Sequence, residues 1–140
     1  MRERAATKLQ SGAVSASITL EYAKASGLAY PDASFDAVVS TLVLCSVGNQ
    51  AETLGEIRRV LRPGGELRLW EHVHSLRRLI AAAAAVVTPV YTQFADGCHL
   101  NRDTAATVRA AGFEVVRESH PNVRGHPLQN LVMTARRPAT

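Results

Sequence analysis

The 140 residues include only two cysteines and one tryptophan, aromatic side chains make up 5% of them, and no apolar run is long enough to span a bilayer. Each shortage excludes something. Cys45 and Cys98 are too few for a disulfide framework; both lie in or beside apolar stretches, where free buried thiols are common, so a reducing, cytoplasmic setting is expected. Met1 is followed by Arg2, Glu3 and Arg4 with no apolar core after them, so no signal peptide is expected. The uncharged stretch Leu79 to Val90 is interrupted by Pro89 and gives way to Thr92, Gln93 and Asp96, whereas a spanning helix needs about 20 apolar residues. It reads as a packed helix, with no membrane span. No cysteine or histidine pair has the CxxC or HxxxH spacing of zinc ligands, so no metal is expected from Cys45, His72, Cys98 and His99. A GxSxG elbow is absent, which removes support for hydrolase chemistry.

The hydrophobic fraction of 46% against 20% charged is that of a globular domain. Net charge is +4, yet the arginines are scattered or gathered at helix ends, as in Arg58, Arg59 and Arg62. With no basic stripe interleaved with aromatics, no nucleic-acid partner is expected.

Periodicity organises the chain. Met1 to Gln10 reads as the end of a helix, and the alternation Ile18, Leu20, Tyr22 suggests a strand. Phe35 to Leu44 is almost continuously apolar and rich in valine, as a parallel strand covered on both faces would be. Asn49 to Leu61 is the clearest helix, with Asn49 to cap it, Glu52 three residues on, and Leu54, Ile57 and Leu61 along one stripe. Pro63-Gly64-Gly65 ends it, and a strand from Glu66 to Val73 follows. Arg102 to Ala111 should be a short helix closed by Gly112, and Phe113–Glu118 and Leu131–Ala135 two strands that pair antiparallel.

Two segments carry a resemblance. Tyr30-Pro31-Asp32-Ala33-Ser34-Phe35-Asp36-Ala37-Val38-Val39 and Glu56-Ile57-Arg58-Arg59-Val60-Leu61-Arg62-Pro63-Gly64-Gly65 resemble the class I S-adenosylmethionine-dependent methyltransferases of the ubiquinone/menaquinone-biosynthesis type, and the likeness runs from about Ile18 to the C-terminus. Thr41 to Val47, Glu71-His72 and Asp96-Gly97-Cys98 look more narrowly like the methyltransferase-like thiol methyltransferases. The resemblance implies an α/β, three-layer Rossmann-like sheet of order 3-2-1-4-5-7-6 with the last strand antiparallel. It also implies S-adenosylmethionine as cofactor and methyl transfer to a small-molecule acceptor.

The family's glycine-rich D-x-G-x-G loop and first two strands have no counterpart in these 140 residues, so a fold truncated at the N-terminus is expected, with cofactor binding impaired. Open sheets of this kind bind ligands beyond the carboxyl ends of their strands. That places Ser40, Thr41 and Leu42 at the cofactor, and the resemblance adds Lys24 and Ala25 beside the adenine, where the lysine can only donate. His72 is the candidate base, and Cys98 and His99 are candidate acceptor contacts. Removing strands leaves the strand from Phe35 as an edge, so either Ile18 to Tyr22 pairs beside it or two chains form a homodimer across it. A non-catalytic remnant or interaction module is the rival reading.

Overall fold

The computed structural model describes residues 16–73, 86, 98–99, 101–121 and 129–139. Six elements follow in order: β1 (Phe35–Thr41), α1 (Gln50–Val60), β2 (Leu61–Val73), α2 (Thr104–Ala110), β3 (Glu114–Ser119) and β4 (Gln129–Arg136). The four strands form one sheet in the order β1-β2-β4-β3. β1 and β2 run parallel, and β4 is antiparallel to both its neighbours. This corresponds to the 4-5-7-6 half of the expected sheet.

Local chemistry explains the helices. The Asn49 side chain accepts from the backbone N–H of Ala51 and Glu52, satisfying donors that the first turn of α1 leaves open, while Arg58 and Arg59 occupy its last turn. Asp103 caps α2 through the Ala106 N–H. Gly112, at φ 80°, reverses the chain directly afterwards.

Leu54 and Ile57 of α1 and Ala105 and Val108 of α2 pack on Leu67, Leu69 and Val73 of β2 and Leu131, Met133 and Ala135 of β4. Each large apolar side chain buried this way contributes about 1.5–3 kcal/mol. The other face of the sheet keeps Val39, Trp70 and Val132 exposed by 71%, 47% and 38% among the described residues. The expected alanine-rich covering helix and the helix ending near Gln10 lie outside the described residues, Val86 excepted.

Three expectations need correction. Ile18 to Tyr22 is not a strand; the nearest pairing is an isolated bridge between Lys24 and Gly27. Alternation alone cannot satisfy backbone groups without a neighbouring ladder, and Tyr22 stands 85% exposed. β1 therefore has a partner on one edge only among the described residues. It also ends at Thr41 rather than Leu44, because Leu42 turns left-handed at φ 57°. Finally, β2 begins at Leu61, ahead of the Pro-Gly-Gly stop. The four residues Arg62 to Gly65 bulge opposite Asp36, between the pairs Phe35–Leu61 and Ala37–Glu66.

Candidate functional site

The carboxyl ends of β1 and β2 meet around one carboxylate. Along β2 the inward positions read Leu67, Leu69, Glu71, Val73, so a glutamate occupies a core position, and its exposure is 0%. Burying a carboxylate is costly unless its oxygens are satisfied. Here Oε1 accepts from the Ser40 hydroxyl at 2.7 Å and from the Val43 N–H at 3.1 Å, and Oε2 from the Cys45 N–H at 3.2 Å. The chain leaving β1 is thus wrapped around Glu71. The left-handed Leu42 produces the turn that aims the Val43 and Cys45 N–H groups inward, a conformation costing about 1–2 kcal/mol for a residue with a Cβ. Strain of this kind is found where a surrounding network holds it, often at ligand-facing turns.

A second group lies beside the first. One possible ligand atom from each of Cys45, His72 and Cys98 falls within 4.8 Å of the others. Both thiols are buried and free, and His72 is half-buried. Cys98 Sγ is 3.8 Å from His72 Nδ1. Burial, with the hydrogen bond to Cys45 and nearby negative charge adding, pushes the Cys98 thiol up to about 12. His99 anchors the loop by donating its N–H to the Cys45 carbonyl at 2.9 Å, and its Nδ1 lies 3.3 Å from the same oxygen. Arg102 donates to the Leu44 carbonyl at 2.8 Å, and burial lowers its pKa. Gln50 joins the same carbonyl to the Thr104 hydroxyl.

The residues singled out from the sequence therefore divide. His72, Cys98 and His99 converge with Cys45. Ser40 is at the expected strand end, but its hydroxyl serves Glu71, and its residue pairs with Leu69 in the sheet. Thr41 is exposed, while the Leu42 N–H is taken by the Trp70 carbonyl at 2.8 Å. Lys24 and Ala25 line a separate open recess of about 410 Å³ with Ser26, Val47, Gly48, Asn49, Glu52 and Thr53. Glu71 and Cys45 were not selected as site residues from the sequence. The available signal was a charge at an inward position of an otherwise apolar alternation.

Residues 1–69 match a protein-family profile described as "Methyltransferase domain". Thiol S-methyltransferase TMT1B of Rattus norvegicus is 44% identical over 87 residues, covering 61% of this chain and 36% of the relative. Thiol S-methyltransferase TMT1A of Homo sapiens is 39% identical over 97 residues, covering 64% and 37%. By the profile and these relatives the chain is similar to the class I S-adenosylmethionine-dependent methyltransferases. Its matched stretch spans little more than a third of the length of these relatives.

Solved structures agree on the fold. The [4+2]-cyclase SpnF superposes with a TM-score of 0.74 at 21% identity, over 97% of this chain and 62% of that one. A putative methyltransferase from Bacillus halodurans superposes at 0.66 and 18% identity, over 83% and 70%. That the first of these is named as a cyclase shows why the fold by itself does not assign a reaction.

S-adenosylmethionine is the cofactor of this family. The described residues suit one flank of it and not a whole site. Thr41 is exposed at the expected strand end, and Ala25 sits in the recess. Lys24 offers the adenine amine no acceptor, and the Ser40 hydroxyl and Leu42 N–H are already engaged.

Proposed function

We propose that this chain forms the acceptor-side half of a methyltransferase that moves a methyl group from S-adenosylmethionine to a small-molecule acceptor, with a thiol as the best-supported class. The observation carrying the reading is the turn Leu42–Cys45, folded around Glu71 at the carboxyl ends of two parallel strands, where sheets of this kind bind ligands. The thiol assignment draws on the two relatives named as thiol methyltransferases.

In this reading Ser40, Thr41 and Leu42 border the cofactor at the strand end, and Lys24 and Ala25 border it from their own recess. Cys98 and His99 border the acceptor. His72, the candidate base, stands on the acceptor wall with its Nδ1 3.8 Å from Cys98 Sγ. Alignment of the two reactants is then the main contribution of this half to a displacement reaction.

The test is calorimetric titration of the chain with S-adenosylmethionine, followed by transfer of a labelled methyl group to a small alkyl thiol, with a phenol as comparison. Heat of binding at millimolar cofactor, with slow labelling of the thiol, is expected. Absence of both sinks the reading in favour of a non-catalytic remnant. That second reading has its own support in β1, which is paired on one edge only among the described residues and carries an exposed Val39. An unprotected edge invites a second copy of the chain. Sedimentation across a concentration series separates a homodimer from a monomer.

A further inference from the structure

We infer that Cys45, His72 and Cys98 form a binding site for a soft divalent cation, zinc being the natural occupant, with two sulfur ligands, one nitrogen ligand and a fourth position left for an exogenous ligand. The inference stands apart from the methyl-transfer reading, since it rests only on where these three side chains lie.

Geometry is the first argument. Zinc bonds to sulfur at about 2.3 Å and to imidazole nitrogen at about 2.0–2.1 Å in a tetrahedral arrangement. Those lengths require a sulfur–nitrogen separation of about 3.6 Å and a sulfur–sulfur separation of about 3.8 Å. Cys98 Sγ and His72 Nδ1 are already 3.8 Å apart, and all three ligand atoms fit within 4.8 Å of one another. Adjustments well under the length of a side chain would close the set.

Rigidity is the second. The three ligands come from three separate segments, two of them tied to each other by the hydrogen bond from His99 to Cys45. Cys45 is held by its own N–H on Glu71 and its carbonyl on the His99 N–H. His72 sits in β2, paired with Asn130 of β4. Cys98 precedes the residue that ties its loop to Cys45. A preformed set of this kind loses little conformational freedom when an ion enters.

Chemistry is the third. Cys45 and Cys98 are 1% and 6% exposed, and the fully buried carboxylate of Glu71 lies beside them with its oxygens turned to other donors. Two sulfurs and one imidazole select a soft or borderline ion over magnesium or calcium, which require oxygen. Local spacing could not reveal the site, because the ligands lie 27 and 26 residues apart in sequence (72 − 45 and 98 − 72).

The experiment loads the full, metal-stripped chain with Co²⁺ under a phosphine reductant, then adds Zn²⁺. One Co²⁺ per chain should give a thiolate-to-cobalt charge-transfer band in the near ultraviolet and the strong visible bands of a tetrahedral centre, both erased by Zn²⁺. Cys98→Ser and His72→Ala should each weaken binding beyond the roughly 10–100-fold that loss of an outer-shell partner costs. Because a variant can fail to fold, the wild-type chain carries a second readout: Zn²⁺ should shield both cysteines from a thiol reagent and raise the melting temperature. A folded, reduced chain without the charge-transfer band overturns the inference. So does a band that persists undiminished in a folded Cys98→Ser chain, or two thiols that react equally fast with and without Zn²⁺.

Discussion

The two ends of the β1–β2 pair solve opposite problems. At the amino end of β1 the chain is closed by the backbone and by arginines reaching for carbonyls. Gly64 donates its N–H to Arg137, whose own N–H returns to Gly65, and the Arg137 side chain donates to the carbonyls of Arg58, Arg59 and Leu61. Arg62 pairs with Asp36 in solvent. At the carboxyl end the order is reversed: a buried carboxylate gathers backbone donors, and two thiols and an imidazole stand beside it. One end is closed by backbone pairing, with the Arg137 guanidinium bracing three carbonyls. The other depends on particular side chains in an apolar setting, which is the kind of place where chemistry is done.

The sharpest way to break that comparison is to remove the carboxylate. Glu71→Ala would leave the Ser40 hydroxyl and the Cys45 N–H buried without their acceptor, at about 1–3 kcal/mol each, and the part-buried Val43 N–H without its own. A loss of about 4 kcal/mol in urea unfolding is expected, less than the full sum because the turn can relax. Glu71→Gln keeps one oxygen and points an NH₂ at donors, so about half that loss is expected. If Glu71→Ala costs under about 1 kcal/mol, the carboxyl end is not organised by this side chain.

How much of this could be read in advance depends on which residues are asked about. α1 was legible because Asn49, the stripe Leu54–Ile57 and the terminal arginines all point to the same helix. The pairing of β1 with β2, and the antiparallel β3 and β4, followed from apolar runs and connection lengths. The end of β1 was not legible. Leu44 is as apolar as Val38, and apolarity reports burial rather than conformation: Leu44 is 0% exposed, yet lies in the loop beyond the left-handed Leu42. Ile18 to Tyr22 failed for the converse reason, having a strand's alternation with no ladder to join. The grouping of Cys45, His72 and Cys98 is purely tertiary, and only the position of Glu71 among inward-facing leucines hinted at it.

The amino end can be tested with two adjacent glycines that differ in kind. A Cβ on Gly65 would lie 2.9 Å from the Arg62 carbonyl oxygen and 3.1 Å from that of Asp36, with no flexible side-chain tip to give way at either. Gly65→Ala should therefore cost about 2–3 kcal/mol. Gly64 faces open space and pays only for its φ of 78°, so Gly64→Ala should cost about 1–2 kcal/mol. Urea midpoints for the pair check the order. Equal losses would mean that the bulge opposite Asp36 moves freely, and the contrast between a rigid backbone closure here and a side-chain closure at the other end would weaken.

The smallest effect concerns Glu56, which ties the approach to β1 onto α1. Its carboxylate accepts from the Leu28 N–H at 3.0 Å and from two nitrogens of Arg59, each at 3.0 Å. Arg59 in turn donates to the carbonyls of Tyr30 and Leu28 and pairs with Asp32 at 2.7 Å. The hydrogen bond from Arg59, and then that from Leu28, lowers the Glu56 carboxyl from its ordinary 4.5 to about 2. A pKa lower in the folded than in the unfolded chain means that the unfolded state binds the proton first. The stabilisation is therefore fully present above about 4.5 and is lost as pH falls toward about 2. Glu56→Gln should lower the urea midpoint modestly at neutral pH, since the group is partly exposed and screened by solvent. The gap between variant and parent should then narrow across that acid window. A gap that stays constant from neutral pH through the window would mean that the shape of the amide and carboxyl groups, rather than the charge on Glu56, holds the segment Leu28–Asp32 in place.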